Sequence, residues 1–497
     1  MSEKIAALCD MHLRNDADSP QYAYLLRAAD RMRADGIKRV IVCGDMTAYG
    51  DVSAYSMYRK ALEDFEIFEV LGNSDVRSED TADELGAKIK RCELCVGSRK
   101  VLGINTPYSV IDPEDRCAIE KLSDGDLLFL HNYVDSLKDE SREYLNGLLE
   151  KKSLTVLHGH GHRIFDYNIG NSHVLGFRGL DPDKAIGAPP SINYLTVSDE
   201  KITCEEMFFP ACKETLADIK RFLGISCVDL LEDMEYAEAH NVPIAELRCD
   251  HAPWPPSEEL VDVVKRWREK TGGFLSVHMP NLKYSDGRIV DVEKWYSVLD
   301  NALLVDADHL TVHPPRIKRS ELFGNEDVMN ELIGLHAAAA MRVADNVTVG
   351  IENLHRDDDE PYGDDQGFAC TPEEVIFWID KINERIGKPD RVGHVLDVGH
   401  ARNNGKLAKL YPVSRWYAMT GDRAVAYHVH QSVKKEKKLK NHRPLENWYG
   451  PMINYTGFFY AWEKGILNHA PIILEVKGWK NHEISMEGIE KVLSDYE

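Results

Sequence analysis

A chain of 497 residues is too long for one ordinary hydrophobic core, and 43% hydrophobic with 29% charged residues is the composition of a globular protein, not of a disordered or fibrous one. Sixty basic residues against 83 acidic give a net charge of −23, which works against broad binding to nucleic acid or to an anionic membrane. No apolar run approaches the ~18 residues of a membrane span, and a first stretch MSEKIAALCDMH without an apolar signal-peptide core, with ten scattered cysteines, predicts free thiols in a reducing cytoplasm.

Apolar strands alternating with helical patterns begin at once. KIAALCDMH (4–12) predicts a strand running into Asp10 and His12. SPQYAYLLRAADRMRADG (19–36) predicts a helix with Ser19 as N-cap, Pro20 at its first position and Gly36 past its end, its apolar face formed by Tyr22, Leu25, Leu26, Ala29 and Met32. RVIVCGDMT (39–47), FEIFEVLGNSD (65–75), DLLFLHNYV (126–134) and LTVLHGHGH (154–162) are further strands, each stopping at Asp, Asn or His. Separate strands that all end in metal-ligating residue types point to one site at their carboxyl ends. Two divalent ions ~3.5–4 Å apart need a bridging carboxylate, hard oxygen ligands and neutral imidazoles, and such a pair binds a phosphoryl oxygen and acidifies water. Asp10, His12, Asp45, Asn73, His131, His160 and His162 supply that set. Cys92-x-x-Cys95 has no second pair to complete a zinc site and reads as chance spacing.

The ordered series D-x-H (Asp10, His12), G-D (Gly44, Asp45), G-N-x-D (Gly72, Asn73, Ser74, Asp75), a lone His131 and G-H-x-H (Gly159, His160, Gly161, His162) resembles the calcineurin-like metallophosphoesterase signature over about residues 1–205. The resemblance implies an α/β sandwich in which Asp10, His12 and His162 hold one metal, Asn73, His131 and His160 hold the other, and Asp45 bridges. The metals would be manganese, iron, zinc or nickel, and Asp45, Asn73 and Asp75 would form the catalytic set. Glycines beside the imidazoles let the backbone turn sharply and come close to both ions. His158 reads either as support for the site or as a strand-end histidine satisfied by backbone. The usual motif has a histidine where this chain has Ser74, a poor general acid at neutral pH. The resemblance then implies a phosphodiesterase or a phosphoesterase of small substrates. FRGLDPDKAIGAPPSINYLTV (177–197) looks like the family's closing loop and strand, with Arg178 and Lys184 as phosphate contacts or surface ion pairs.

After ACKETLADIKRF (211–222), a connecting helix, FLGISC, IAELRCD, FLSVHMP, DHLTVHPP, VTVGIENLH, RVGHVLDVGH, AVAYHVHQS and PIILEVKGW alternate with amphipathic helices. One of these opens with a capping box, Thr371 as cap and Glu374 three residues on, and closes at Gly387. Eight such units predict a (β/α)8 barrel, whose active sites form at the carboxyl ends of the strands. In strand order those ends carry Glu246, His278, His313, Glu352, Asp397 with His400, His428 with His430, and Glu475.

This set resembles the xylose-isomerase-like barrel superfamily, and within it the endonuclease IV branch, over about residues 221–497. The resemblance implies one to three divalent metals, zinc or manganese, held by His278, His313, Glu352, Asp397, His400, His428, His442 and Glu475. Glu352 and Glu475 would bridge metals or, as in the sugar isomerase and epimerase branches, form a catalytic pair for proton transfer. Two departures bear on a third metal: Lys440 and Gln431 stand where the endonuclease pattern has aspartates. The loops VKKEKKLKNHR (433–443) and PPRIKR (314–319) place Lys434, Lys435, Lys437, Lys438, Lys440, Arg316, Lys318 and Arg319 at the barrel mouth, facing an anionic ligand or solvent. Trp448 and Tyr449 would stack on a ligand or cover the core.

The sequence thus predicts an α/β protein: a metallophosphoesterase sandwich (1–207), a connecting helix (208–220) and a carboxy-terminal TIM barrel (221–497). The function expected is a bifunctional metal-dependent enzyme that hydrolyses a small phosphorylated substrate and acts on a phosphorylated sugar or related metabolite, without a membrane partner. Two readings stay open beside it: repair of nucleic acid by cutting at abasic sites, which the net charge disfavours, and a barrel that only binds or regulates.

Overall fold

In β1 (Glu3–Leu8) Ile5 and Ala7 point to one face and Ala6 and Leu8 to the other, and all four are buried, so this strand needs cover on both sides. The computed structural model, which describes residues 2–78, 82–249, 255–356, 363–435 and 438–494, shows how it is covered. The chain divides into two units, Met1–Pro210 and Ala211–Glu497.

The strands of the first unit are β1, β2 (Arg39–Val42), β3 (Glu66–Glu69), β4 (Cys92–Val96), β5 (Arg99–Gly103), β6 (Leu127–Leu130), β7 (Thr155–His158), β8 (Phe165–Ile169), β9 (Ser172–Gly176), β10 (Ser191–Val197) and β11 (Ile202–Phe208). They form a five-stranded sheet, order β11-β10-β1-β2-β3, and a six-stranded sheet, order β4-β5-β6-β7-β9-β8. Ile5, Ala7, Ile41, Leu127, Phe129, Leu157 and Leu195 share one core, which therefore lies between the sheets. Ala6, Leu8, Val40 and Val42 pack instead against Leu25, Ala29 and Met32 of the helix Pro20–Ala34, and Leu128, Leu130 and Val156 against Ile119, Leu145 and Leu149. The unit is a helix–sheet–sheet–helix sandwich. The first helix is capped as expected, Tyr22 N donating to Ser19 Oγ at 3.3 Å. Its buried face is rotated from the expected one: Tyr24 and Ala28 are buried with Leu25, Ala29 and Met32, while Leu26 is 38% exposed. All ten cysteines are free thiols, and Cys92 and Cys95, an odd number apart on β4, point to opposite faces and cannot chelate together.

The second unit begins with the helix Lys213–Arg221, which packs on the helices Thr456–Glu463 and Trp479–Ser494 of the same unit. Its strands are β12 (Leu223–Cys227), β13 (Ile244–Arg248), β14 (Phe274–His278), β15 (Lys283–Ser285), β16 (Arg288–Val290), β17 (His309–Val312), β18 (Thr348–Glu352), β19 (Val392–Asp397), β20 (Ala424–Val429), β21 (Gln431–Lys435), β22 (Lys438–Arg443) and β23 (Ile472–Leu474). Eight of them close a parallel barrel, β12-β13-β14-β17-β18-β19-β20-β23, sealed where Ile472 pairs with both Leu223 and Tyr427. The (β/α)8 architecture is the expected one. β15–β16 and β21–β22 are hairpins inserted after β14 and β20. The helix Pro372–Ile386 is capped by Thr371 Oγ1, which accepts from Glu374 N at 3.3 Å, and Gly387 ends it at φ +74°. Among the described residues no helix is long and apolar enough to cross a membrane.

Candidate metal centres

Six described non-glycine residues of the first unit have positive φ, and five of them are Asp10, His12, Asp45, His160 and His162, at +47° to +67°. Side-chain-bearing residues avoid this region, and such outliers gather where function requires a direction of approach. Two glycines are required by the same crowding: a Cβ on Gly72 would lie 2.1 Å from Asp45 Oδ1, and one on Gly159 2.7 Å from Asp10 Oδ2.

These backbone turns aim the side chains at one another. Asp45 Oδ2 lies 3.2 Å from His12 Nε2 and 3.4 Å from His131 Nε2, so it touches both halves of the cluster. His162 Nε2 is 3.4 Å from Asp10 Oδ1, a buried atom with no hydrogen-bond partner, and His160 Nδ1 is 3.1 Å from His131 Nε2. The Asn73 amide has one terminal atom 3.1 Å from His131 Nε2 and 2.9 Å from His160 Nδ1, and the other 3.2 Å from Ser74 N and Arg77 Nη2. Ligand atoms of Asp10, His12 and His162, and again of Asp10, Asp45 and His131, fall within 4.8 Å of one another. Burial alone would push the His131 ring down, but Asp45 and Asp10 outweigh it and hold it up at about 9, while burial and His131 bring His160 down to about 4. Converging lone pairs with an unpaired carboxylate oxygen, in mixed nitrogen and oxygen ligands, fit divalent cations.

Around this centre the geometry settles roles that spacing left open or did not show. Asp75, expected in the catalytic set, is turned away: its Oδ1 accepts from Thr47 N and Oγ1, its Oδ2 from Gly72 N, and it holds the loop that carries Asn73. Ser74 clamps Asp45, its N donating to Oδ1 at 2.7 Å and its Oγ to Oδ2 at 2.9 Å. Asp181 lies 3.2 Å from His12 Nδ1 and so orients the ring, and Lys184 is 3.6 Å from Asp181. His158 is buried, its Nδ1 on Gly159 O, and supports the strand end. Arg178 is spent on Glu206 at 3.0 Å. Partners that orient ligands typically contribute ~10–100-fold to metal affinity. Asp181→Ala is therefore expected to weaken the first site by about that factor in a chelator-competition titration, with an unchanged far-ultraviolet spectrum.

In the barrel Glu352 lies at the middle of the cluster. Its Oε2 is 3.0 Å from both His278 Nε2 and His313 Nε2, and its Oε1 is 3.2 Å from His428 Nδ1 and 3.5 Å from His400 Nδ1. Glu475 Oε2 is 3.5 Å from the Nδ1 atoms of His428 and His442. Asp397 reaches His400 Nδ1 at 3.3 Å and His430 Nε2 at 3.4 Å. Glu352 Oε1, Asp397 Oδ2, Glu475 Oε2, His428 Nδ1 and His430 Nε2 are buried without a hydrogen-bond partner. The groups His278–Glu352–His428–Glu475, Glu352–Asp397–His400 and His400–His430–His442 each bring ligand atoms within 4.8 Å, an arrangement that fits more than one divalent cation. Burial opposes the charged His428 ring, but Glu246, Glu352 and Glu475 outweigh it and hold it well above the usual imidazole range.

Glu246 is placed differently from expectation. It sits below the mouth, its Oε2 accepting from Ser276 Oγ at 2.8 Å and Thr311 Oγ1 at 2.7 Å and its Oε1 3.1 Å from His428 Nε2, while Arg248 ends the strand and pairs with Glu475. Gln431 is structural, bonding Ile453 N and O, and Lys440 is exposed. Arg316 and Lys318 are exposed and line a cavity of about 810 Å³ with Tyr284, His355 and Phe368; the His355 ring is 4.6 Å from that of His400. Arg319 instead pairs with Glu374 at 3.2 Å. Lys434 is exposed, whereas Lys437 and the side chains of Lys435 and Lys438 lie outside the described residues. Trp448 and Tyr449 are core residues, 0% and 5% exposed.

Among solved structures, a D-tagatose 3-epimerase-like protein is 19% identical, with a TM-score of 0.38 over 55% of this chain and 97% of its own. Endonuclease IV from Thermus thermophilus is 17% identical, with a TM-score of 0.38 over 55% of this chain and 99% of its own. A dimetal phosphatase from Danio rerio is 11% identical, with a TM-score of 0.34 over 41% of this chain and 95% of its own. No curated protein sequence matches the chain. The family model described as xylose isomerase-like TIM barrel matches residues 234–494. That match spans more than half of the chain and takes in seven of the barrel's eight strands, β13 to β23, and the protein belongs to the xylose isomerase-like TIM barrel family.

Proposed function

We propose that the protein is a bifunctional metal-dependent enzyme: a phosphoesterase of a phosphodiester or small phosphomonoester in the first unit, and a barrel that moves a carbon-bound proton of a phosphorylated sugar or related metabolite. The observation that carries the first part is the convergence of Asp10, His12, Asp45, Asn73, His131, His160 and His162, five of them, all but Asn73 and His131, on left-handed backbone. Two divalent ions held there, manganese, iron, zinc or nickel, would polarise a phosphoryl oxygen and acidify water. Asp45 spans both halves of the site, and Asp181 and Ser74 fix the ligands.

In the barrel, zinc or manganese would be held by His278, His313, Glu352, Asp397, His400, His428, His442 and Glu475, with His430 added from the geometry. Glu352 and Glu475, both within reach of His428 Nδ1, supply two carboxylates for removing and returning a proton. Arg316 and Lys318 in the adjoining cavity supply positive charge for a phosphate. Consecutive steps on one compound explain most simply why both activities share a chain.

A His160→Ala variant tests this, because it silences the first site alone. Metal-replete wild type is expected to hydrolyse an aryl phosphodiester and the variant to lose at least ~10²-fold, while both exchange a carbon-bound proton of a sugar phosphate with deuterated water, as read by NMR. Cutting of an abasic-site duplex by the variant, abolished by adding Glu352→Ala, would overturn the sugar phosphate reading in favour of a repair nuclease.

A further inference from the structure

Hydrolysis of a phosphoester needs something to receive the charge that develops on the leaving oxygen. At the first centre the imidazole and carboxyl groups that face the cluster are otherwise engaged, and the one unpartnered ring nitrogen of His158 is turned toward Gly176. Asp10, His12, Asp45, His131, His160 and His162 face the cluster, Asp181 orients His12, and both oxygens of Asp75 are held by Thr47 and Gly72. Ser74 is engaged twice, donating from Oγ to Asp45 Oδ2 at 2.9 Å and accepting from Arg77 Nη2 at 2.9 Å. Its one proton is committed to Asp45, so none is left for a departing oxygen.

Arg77 is the next group outward. Its Nη2 also lies 3.2 Å from the Asn73 amide, its Nη1 donates to Ala48 O at 3.3 Å, and its guanidinium lies 5.6 Å from the centre of the Tyr49 ring, which Arg14 also covers at 5.0 Å. The side chain is half-buried, fixed at three points beside Asn73, and the guanidinium fork has more donors than those contacts use. A guanidinium neutralises charge and hands over no proton.

Resting on the phosphoesterase reading, we propose that Arg77 is a catalytic residue that pairs with the leaving oxygen as an anion, which sets the substrate class: esters and anhydrides of phosphate whose leaving group departs as a stable anion. In the step, a water oxygen bonds to phosphorus as the bond from phosphorus to the leaving oxygen breaks. The electron pair goes to the leaving oxygen, now an anion against Arg77, and the water's proton goes to solvent. Aryl and enol phosphates and phosphoanhydrides fit this class, the anhydride of a phosphorylated sugar among them, and simple alkyl esters do not.

The test is a series of aryl methyl phosphate diesters, from nitrophenols to unsubstituted phenol, with metal-replete full-length wild type, Arg77→Ala and Arg77→Lys. The expected result is a loss in Arg77→Ala that grows along the series, from about tenfold for the best leaving group to ~10³-fold for phenol, with Arg77→Lys between. A loss equal for every ester, with parallel plots of rate against leaving-group acidity, would mean that Arg77 only holds Ser74 and would overturn the proposal. Wild type inactive on the whole series would instead remove the phosphoesterase reading itself. Metal content measured for each variant separates a lost contact from a lost ion.

Discussion

Asp45→Asn is expected to lower phosphoester hydrolysis by at least ~10³-fold and to leave the first unit with less than its full pair of metals. One oxygen of Asp45 faces an imidazole of each half: Oδ2 lies against His12 and His131, while Oδ1 takes the Ser74 amide. An amide of the same shape turns a two-oxygen acceptor into one oxygen and one donor, and that donor points at imidazole nitrogens or at a cation. Ser74→Ala, which removes one of the two bonds holding the carboxylate but leaves it charged, is expected to cost ~10–100-fold in metal affinity and correspondingly less activity. Elemental analysis after dialysis and steady-state hydrolysis of an aryl diester check both. Two tightly held ions per first unit in Asp45→Asn, with a rate within tenfold of wild type, would show that the metals are organised around another residue.

What the sequence made legible follows from how each feature is encoded. β1, β2, β6 and β7 are buried on both faces, so they stand out as apolar runs, and the ligand types at their ends are written in the next few residues. The hairpins β4–β5 and β8–β9 were not legible: Phe165–Ile169 is partly or fully exposed throughout, and no apolar run marks it. The same limit hides partners reached through folding alone. Asp181 lies 169 positions from His12, and nothing local distinguishes it from Asp183 beside it. Asp75 sits inside the G-N-x-D motif, yet its carboxylate is consumed by backbone amides, which only the loop's closure decides. In the barrel, Glu246 and Arg248 share one face of β13, and His428 on β20 is two residues before His430, just past the end of that strand. Spacing cannot tell which member of each pair reaches the mouth and which lies one layer deeper.

Glu352→Gln is expected to remove most of the metal dependence of the barrel's stability. The cluster buries four carboxylates, Glu246, Glu352, Asp397 and Glu475, with Arg248 as a permanent cation on Glu475; the remaining negative charge must be balanced by protonated imidazoles or by bound cations. Burial works against the Glu352 carboxylate, but His313, His428 and His278 outweigh it and hold it well below the usual range, so this group presents full charge at neutral pH. A cation at about 1,000 times its dissociation constant stabilises the folded state by ~4 kcal/mol, which for a unit of this size is ~8 °C in melting temperature. Calorimetry of the full chain in an Asp45→Asn background, where the first unit contributes little metal response, isolates the barrel's transition. A chelator is expected to lower that transition by about 8 °C when Glu352 is present and by no more than ~2 °C in Glu352→Gln. Equal chelator shifts in the two proteins would place the metal away from Glu352, and the proton-transfer pair with it.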